Sequence, residues 1–282
     1  MSQPKRVRMI GWVVLFLTAG FRLLAQPNVS AWEVLKRDLA DKDADKRKQA
    51  VLALAAIGPT PEVIALLNEA LRDKEPIVRQ TTAAAIGEAK IRQCIPNLKA
   101  ALDDTSEIAF TAAKALWDMG DRSGRDLLQE VYTGQAKDSP NFVQSAIRDA
   151  KHKIHHPKEL AMMGAKEASG ALLGPFSMGI VVAQDMLKDS GAPTRALAIT
   201  LLSEDCDARG QQIMEWALNT DKNNLVRAAT AKALGKCGDG DSAAKLVPLL
   251  ADNSTAVRDM AAAGIVRLSV EKGAGTKKET GF

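Results

Sequence analysis

Aromatic residues are scarce in this chain: one Tyr, four Trp and six Phe among 282 residues. A core built on clustered rings is therefore excluded. Alanine and leucine, both strong helix formers, are left to supply the packing. Long runs of period-two alternation are missing too, so the sequence offers no material for a sheet. Cysteine is limited to Cys94, Cys206 and Cys237, with no Cys-x-x-Cys pair. That spacing excludes a zinc ribbon and a thioredoxin-type site and allows at most one internal disulfide. The three thiols are read as small apolar core residues. No nucleophile elbow, Walker loop, dinucleotide-binding glycine motif or His-Glu-x-x-His run is present. The fragment Gly238-Asp239-Gly240-Asp241 lacks the rest of a calcium loop and reads as a turn between helices.

Acidic residues are absent from the first 25 positions, which hold Lys5, Arg6, Arg8 and Arg22. This stretch accounts for the whole formal net charge of +4, and the remainder carries 34 basic and 34 acidic residues. A neutral chain lacks the overall basic face that a nucleic-acid binder needs. The basic start is followed by a nearly continuous apolar run from Met9 to Phe21. A basic segment followed by a short apolar one has the form of a secretory signal, and the run is short for a bilayer span. Cleavage is expected after Ala25. A cut after Ala31 would remove Ser30, which with Glu33 forms a capping-box pair ahead of Trp32 and Leu35. An uncleaved anchor is the other reading. The expected location is periplasmic or secreted, with no membrane insertion of the mature chain.

What the chain does have is a recurring helix. Val226-Arg-Ala-Ala-Thr-Ala-Lys-Ala-Leu-Gly235 places Val226, Ala229, Thr230, Ala233, Leu234 and Cys237 on one face, the stripe of an amphipathic helix. Copies begin at Lys46, Val78, Ile108, Val143, Thr194, Val226 and Val257, in steps of 32, 30, 35, 51, 32 and 31 residues. The second slot holds Arg47, Arg79, Arg195, Arg227 and Arg258. One such small-sided helix cannot bury enough surface alone, so repeats at this period predict an all-α solenoid. Between the alanine-rich helices lie helices with larger side chains: Trp32, Leu35 and Leu39; Val63, Leu66, Leu67 and Leu71; Ile95, Leu98 and Leu102. Later come Leu127, Leu128 and Val131; Ile213, Trp216 and Leu218; Leu246, Val247 and Leu250. Thr60-Pro61 is an N-cap with proline at the first helical position, and Gly58, Gly120 and Gly238 are helix stops. Pro96 and Pro248 fall inside helices with larger side chains and should kink them. Asp104 and Asp252 stand where a carboxylate can cap the next helix.

The pattern Val-Arg-x-x-Ala-x-x-Ala-Leu-Gly, with Asp shortly before it and Pro in the preceding helix, resembles HEAT repeats. The short alanine-rich form is similar to the HEAT-like repeats named after phycobilisome lyases. The resemblance spans about residues 30–133 and 179–270, with a weaker copy near 139–154. It implies a right-handed α-solenoid of about seven helical hairpins. It also implies that Arg47, Arg79, Arg195, Arg227 and Arg258 form a structural ladder with the preceding Asp residues.

The pattern breaks between 109 and 179. Ile108 and Val143 are not followed by Arg, and the 51-residue step inserts material at about 155–179. The expected organisation is a signal peptide at 1–25, a solenoid at 26–270 with that irregular segment, and a disordered tail at 271–282. Within the break, Phe110 and Trp117 stand at stripe offsets +2 and +9, and His152 stands at offset +9 of the next copy. Read as facing away from the core, the three are candidate partner-binding residues. His152 and His156 lie four apart near Met162 and Met163, a spacing usable by a metal. The neighbouring Lys151, Lys153 and Lys158 oppose that use, so no metal or cofactor is expected.

The function expected from these features is a non-catalytic scaffold for a protein or peptide partner, not for nucleic acid. The alternatives are a subunit of a lyase-type enzyme, through the phycobilisome-lyase resemblance, and a metal-binding periplasmic protein using His152 and His156.

Overall fold

A computed structural model describes residues 30–133, 189 and 191–279 of the chain. Residues 1–29, where a signal peptide is expected, the weaker repeat near 139–154, all three histidines and the inserted segment lie outside the described residues. The described residues from Ala31 onward belong to one compact unit. They form twelve α-helices with short 3-10 turns, and no strand occurs among them. In chain order these are α1 (Ala31–Leu39), α2 (Ala44–Ile57), α3 (Pro61–Ala70), α4 (Pro76–Glu88), α5 (Ile95–Ala100), α6 (Ser106–Asp118) and α7 (Arg125–Thr133). After the gap come α8 (Ala192–Asp205), α9 (Ala208–Thr220), α10 (Asn224–Cys237), α11 (Gly240–Leu246) and α12 (Thr255–Glu279). An all-α helical-repeat architecture is thus observed.

Local signals set most of these boundaries. The Thr60 side chain accepts a hydrogen bond from the Val63 amide, with Pro61 at the first turn of α3. Gly58 ends α2 at φ 98°, a left-handed backbone that residues with a Cβ rarely adopt. Gly238 is different. Its backbone is extended, and an added Cβ would meet the Leu234 carbonyl oxygen and the Ser242 side chain. Pro96 and Pro248 break their helices outright. Pro96 opens α5 after a 3-10 turn over Arg92–Cys94, and Pro248 opens a 3-10 turn over Val247–Ala251 after α11.

The alanine-rich helices α2, α4, α6, α8, α10 and α12 form the inner row, and the large-side-chain helices pack on its outside. Neighbours along the row are α8 with α10, α10 with α12, α12 with α2, α2 with α4, and α4 with α6. The last helix of the chain therefore stacks on the first inner helix, and α12 also packs on α1. In space the C-terminal repeats precede the N-terminal ones.

The approach between inner helices is close because small residues meet there. A Cβ on Gly235 would lie 2.4 Å from the Gly264 Cα, and one on Gly87 would lie 2.5 Å from the Ala115 Cβ. In both pairs offset +9 of one repeat touches offset +7 of the next. Offsets +2 and +9 are consequently not turned away from the core. Ala228 and Gly235 hold them in α10 and are buried against neighbouring helices. Thr82 and Thr230 are fully buried at offset +4, and each hydroxyl donates to the carbonyl four residues back at 2.7 Å.

Three of the large residues that mark the outer helices in the sequence face solvent: Ile213, Trp216 and Val247. The buried side of α9 is made by Gly210, Met214, Ala217 and Leu218. Glu271 to Glu279 continues α12, although its composition suggests an irregular tail. A helix already nucleated by packing extends with one hydrogen bond per added residue.

Candidate functional site

The arginines of the second slot perform the same double grip in most repeats. Arg47 places Nε 2.7 Å and Nη2 2.8 Å from the Asp73 carboxylate, while its Nη1 donates to the Asp41 and Lys42 carbonyls of its own loop. Arg79 repeats this on Asp104 at 2.6 and 2.7 Å, with Nη1 on the Asp73 carbonyl. Arg227 holds Asp252 at 3.0–3.1 Å and its own loop through the Lys222 carbonyl. Arg195 holds Asp221 and, in place of a loop carbonyl, the Asp189 carboxylate. Each guanidinium thus ties a loop to the next repeat through a bidentate pair. The aspartates also accept from amides at the start of the following helix, as Asp104 does from Thr105. For Asp104 the Arg79 hydrogen bond, and for Asp221 the Arg195 hydrogen bond, outweighs burial and holds the carboxyl below its ordinary range. Burial opposes ionisation of Asp73 most, yet its contacts with Arg47 and the Glu75 amide still bring it below that range.

The fifth arginine behaves differently. Arg258 grips its own loop through the Asp252 carbonyl at 2.8 Å, but its outward contact is a single 3.4 Å approach to Asp38. The residue in the ladder position of that loop is Asp41, six before Arg47, and Asp41 is taken by Lys46 at 2.8 Å. The rung joining α12 to the N-terminal repeats is therefore out of register and longer than the others.

Of the partner-binding candidates, Phe110 and Trp117 lie on α6, and His152 lies outside the described residues. Trp117 is 42 % exposed, with the Arg122 guanidinium 3.8 Å from its ring centroid. Arg122 also donates to the Trp117 carbonyl, which fixes the guanidinium over the ring. Phe110 is partly buried. Offset +9, where Ala55, Gly87, Ser203 and Gly235 allow close stacking, is thus occupied in α6 by the largest side chain available.

Two features were not legible in the sequence. Cys206 and Cys237 form a disulfide between the ends of α8 and α10, while Cys94 is free, buried and pushed up to about 11 by desolvation. The reading of all three as plain core residues holds for Cys94 alone. The second feature is a cleft of about 310 Å³ along the ladder, lined among others by Arg72, Asp73, Arg79, Asn97 and Asp104. Arg79 and the two carboxylates that line it are engaged with ladder partners. Lys232 on α10 is lowered to about 8, first by burial, although Glu88 on α4 acts in the opposite direction. No group of three or more His, Cys, Asp or Glu placed to hold a metal occurs among the described residues. The His152 and His156 pair lies outside them.

With this geometry in place, the chain can be set against known proteins. It matches the family described as HEAT repeats over residues 65–150 and 181–265, more than half its length. The chain belongs to the HEAT-repeat family. Residues 46–73, which span α2 and α3, match the PBS lyase HEAT-like repeat. No curated protein matches the chain. Among solved structures it is similar to human deoxyhypusine hydroxylase in complex with glycerol, at 19 % identity and a TM-score of 0.33, over 86 % of this chain and 98 % of that one. It is also similar to an engineered protein, at 19 % identity and a TM-score of 0.26, over 85 % and 96 %. At these scores neither likeness bears on what the HEAT repeats here do. No helix among the described residues is long and apolar enough to cross a membrane.

Proposed function

We propose that this HEAT-repeat chain is an exported scaffold that holds a protein or peptide partner and has no catalysis of its own. The observation that carries this reading is Trp117, half-exposed under Arg122 on a helix face that is made of small residues in the regular repeats. Paired aromatic and arginine side chains are the residues that most often dominate binding energy at interfaces. The Cys206–Cys237 disulfide supports export, because such bonds persist in oxidising compartments. Cleavage after Ala25 belongs to the same proposal, and amino-terminal sequencing of the native protein tests it. Partner capture is tested by immobilising the chain with Trp117 intact, as Trp117→Ala, and as Trp216→Ala. Trp216 is exposed on the outer helix α9 and serves as the control. Capture should be lost with Trp117→Ala alone; equal loss in both variants, or in neither, contradicts the reading.

The match of residues 46–73 to the PBS lyase type favours a second reading, a subunit of a lyase-type enzyme. On that reading the same α6 surface would present a client to a catalytic partner. A native amino terminus still carrying Met1, together with co-purification of a chromophore-bearing client, would support it over the exported scaffold. The metal-binding alternative rests on His152 and His156. Calorimetric titration with zinc and copper decides it, and the expected result is no binding tighter than roughly 100 µM.

A further inference from the structure

The contact of α12 with α1 holds a pair of buried acids. Asp259 on α12 is fully buried, and neither of its carboxylate oxygens meets a hydrogen-bond donor. The residue before it, Arg258, reaches Asp38 on α1 at 3.4 Å, and Asp38, also buried and accepting from Arg37 Nε at 2.8 Å, interacts with the Asp259 carboxyl. Two carboxylates in this position can hydrogen-bond only if one keeps its proton. The repeat does not require an acid here. The equivalent offset +2 is Ala196 in α8 and Ala228 in α10, both buried. The acid pair lies where the last described helix meets the first described one, far apart in the sequence.

We propose that this junction is a proton-held clasp: neutral Asp259 donates its carboxyl hydrogen to Asp38, and loss of that proton to solvent releases α12 from α1 while α4 and α6 stay folded. The charged groups that act most on Asp259 are Asp38, which opposes its ionisation, and Arg258 and Arg37, which favour it. None of the strongest comes from α2, α10 or α11, while Lys46 at the start of α2 interacts with Asp38 from the other side. Burial first, and Asp38 second, push Asp259 up to about 9. The folded value lies above the ordinary 3.8, so the clasp is complete below the ordinary carboxylate range. It weakens as pH rises and is lost once pH passes the folded value.

The test is hydrogen exchange of the full chain between about pH 7 and about pH 10, corrected for intrinsic rates, in the wild type and in Asp259→Asn. The asparagine keeps the shape, cannot ionise and can still donate to Asp38. In the wild type, exchange in α1 should rise about tenfold or more across this range while α4 and α6 stay protected; in Asp259→Asn the rise should vanish. Asp38→Asn gives a second reading, because removing the opposing charge should move the transition to lower pH. Equal pH profiles in wild type and Asp259→Asn would overturn the clasp. So would opening of α4 and α6 together with α1, or an Asp38→Asn transition that does not move.

Discussion

The N-terminal stack, α1 to α7, and the C-terminal stack, α8 to α12, are built from one motif but held by different means. In the N-terminal stack the Arg47–Asp73 pair is withdrawn from solvent, with the two side chains 5 % and 12 % exposed. In the C-terminal stack Arg195 is 43 % exposed where it meets Asp221, and that stack carries the Cys206–Cys237 disulfide. The Arg–Asp rung therefore carries different weight at Arg47 and at Arg195, and burial sets the difference, while Arg79 and Arg227, one in each stack, lie between these extremes. Where the rung is wet, a covalent link joins the same pair of repeats.

The comparison can be broken most strongly at Arg47. Arg47→Ala leaves the partly buried Asp73 with only the Glu75 amide as a partner and should cost about 3–5 kcal/mol, read as a lowered urea midpoint. Next is the disulfide. Cys206→Ser with Cys237→Ser frees a link spanning 31 residues of separation. The expected loss is about 3–4 kcal/mol, with hydrogen exchange locating it in α8 and α10. Gly235→Ala follows, because the Gly264 backbone cannot yield to the added methyl. Overpacking of about 1–3 kcal/mol should appear in thermal unfolding. Arg195→Ala should cost at most about 1 kcal/mol, and added salt should shrink even that. If Arg195→Ala matched Arg47→Ala, burial would not be what separates the stacks.

Acid offers a finer comparison. The carboxyls of Asp73 and Asp104 lie below their ordinary range in the folded chain. Their contribution is present above the unfolded value and is lost as pH falls through the folded one. The buried acid at the clasp has the opposite sign, since Asp259 is raised. Urea midpoints measured from acid to alkaline pH should thus fall at both ends. The Asp259→Asn variant should retain only the acid limb.

The repeat period, the two helix types and the recurring arginines were legible in the sequence, because each is a local pattern repeated at fixed spacing. Thr60, Pro61 and Gly58 marked helix boundaries for the same reason, whereas Pro96 and Pro248, expected to kink a continuous helix, divide it instead. The carboxylate partner was not legible: Arg47, Arg79, Arg195 and Arg227 hold Asp73, Asp104, Asp221 and Asp252 of the following loop, where the preceding Asp is expected. What was not legible depends on which copy neighbours which. Arg258 carries the same motif as Arg47, yet its rung crosses to Asp38, 220 residues away. Cys206 and Cys237 pair because α8 and α10 are adjacent inner helices, a fact of stacking that thiol spacing alone does not encode. Trp117 was recognised as unusual, but offset +9 turned out to face the neighbouring repeat wherever that face is described. That Ile213 and Trp216 are exposed was not legible, because an outer helix with two apolar edges does not reveal which edge is covered. The α6 surface remains the candidate site, and its three residues divide between a half-exposed Trp117, a partly buried Phe110 and His152 outside the described residues.

The central claim is that α12 bridges the two stacks by seating on α1 and α2. Ending the chain before Thr255 and mapping hydrogen exchange tests it most directly. If α12 is the bridge, protection should fall in α1 and α2 as well as in α10. Loss confined to α10, with α1 and α2 as protected as in the full chain, would contradict it.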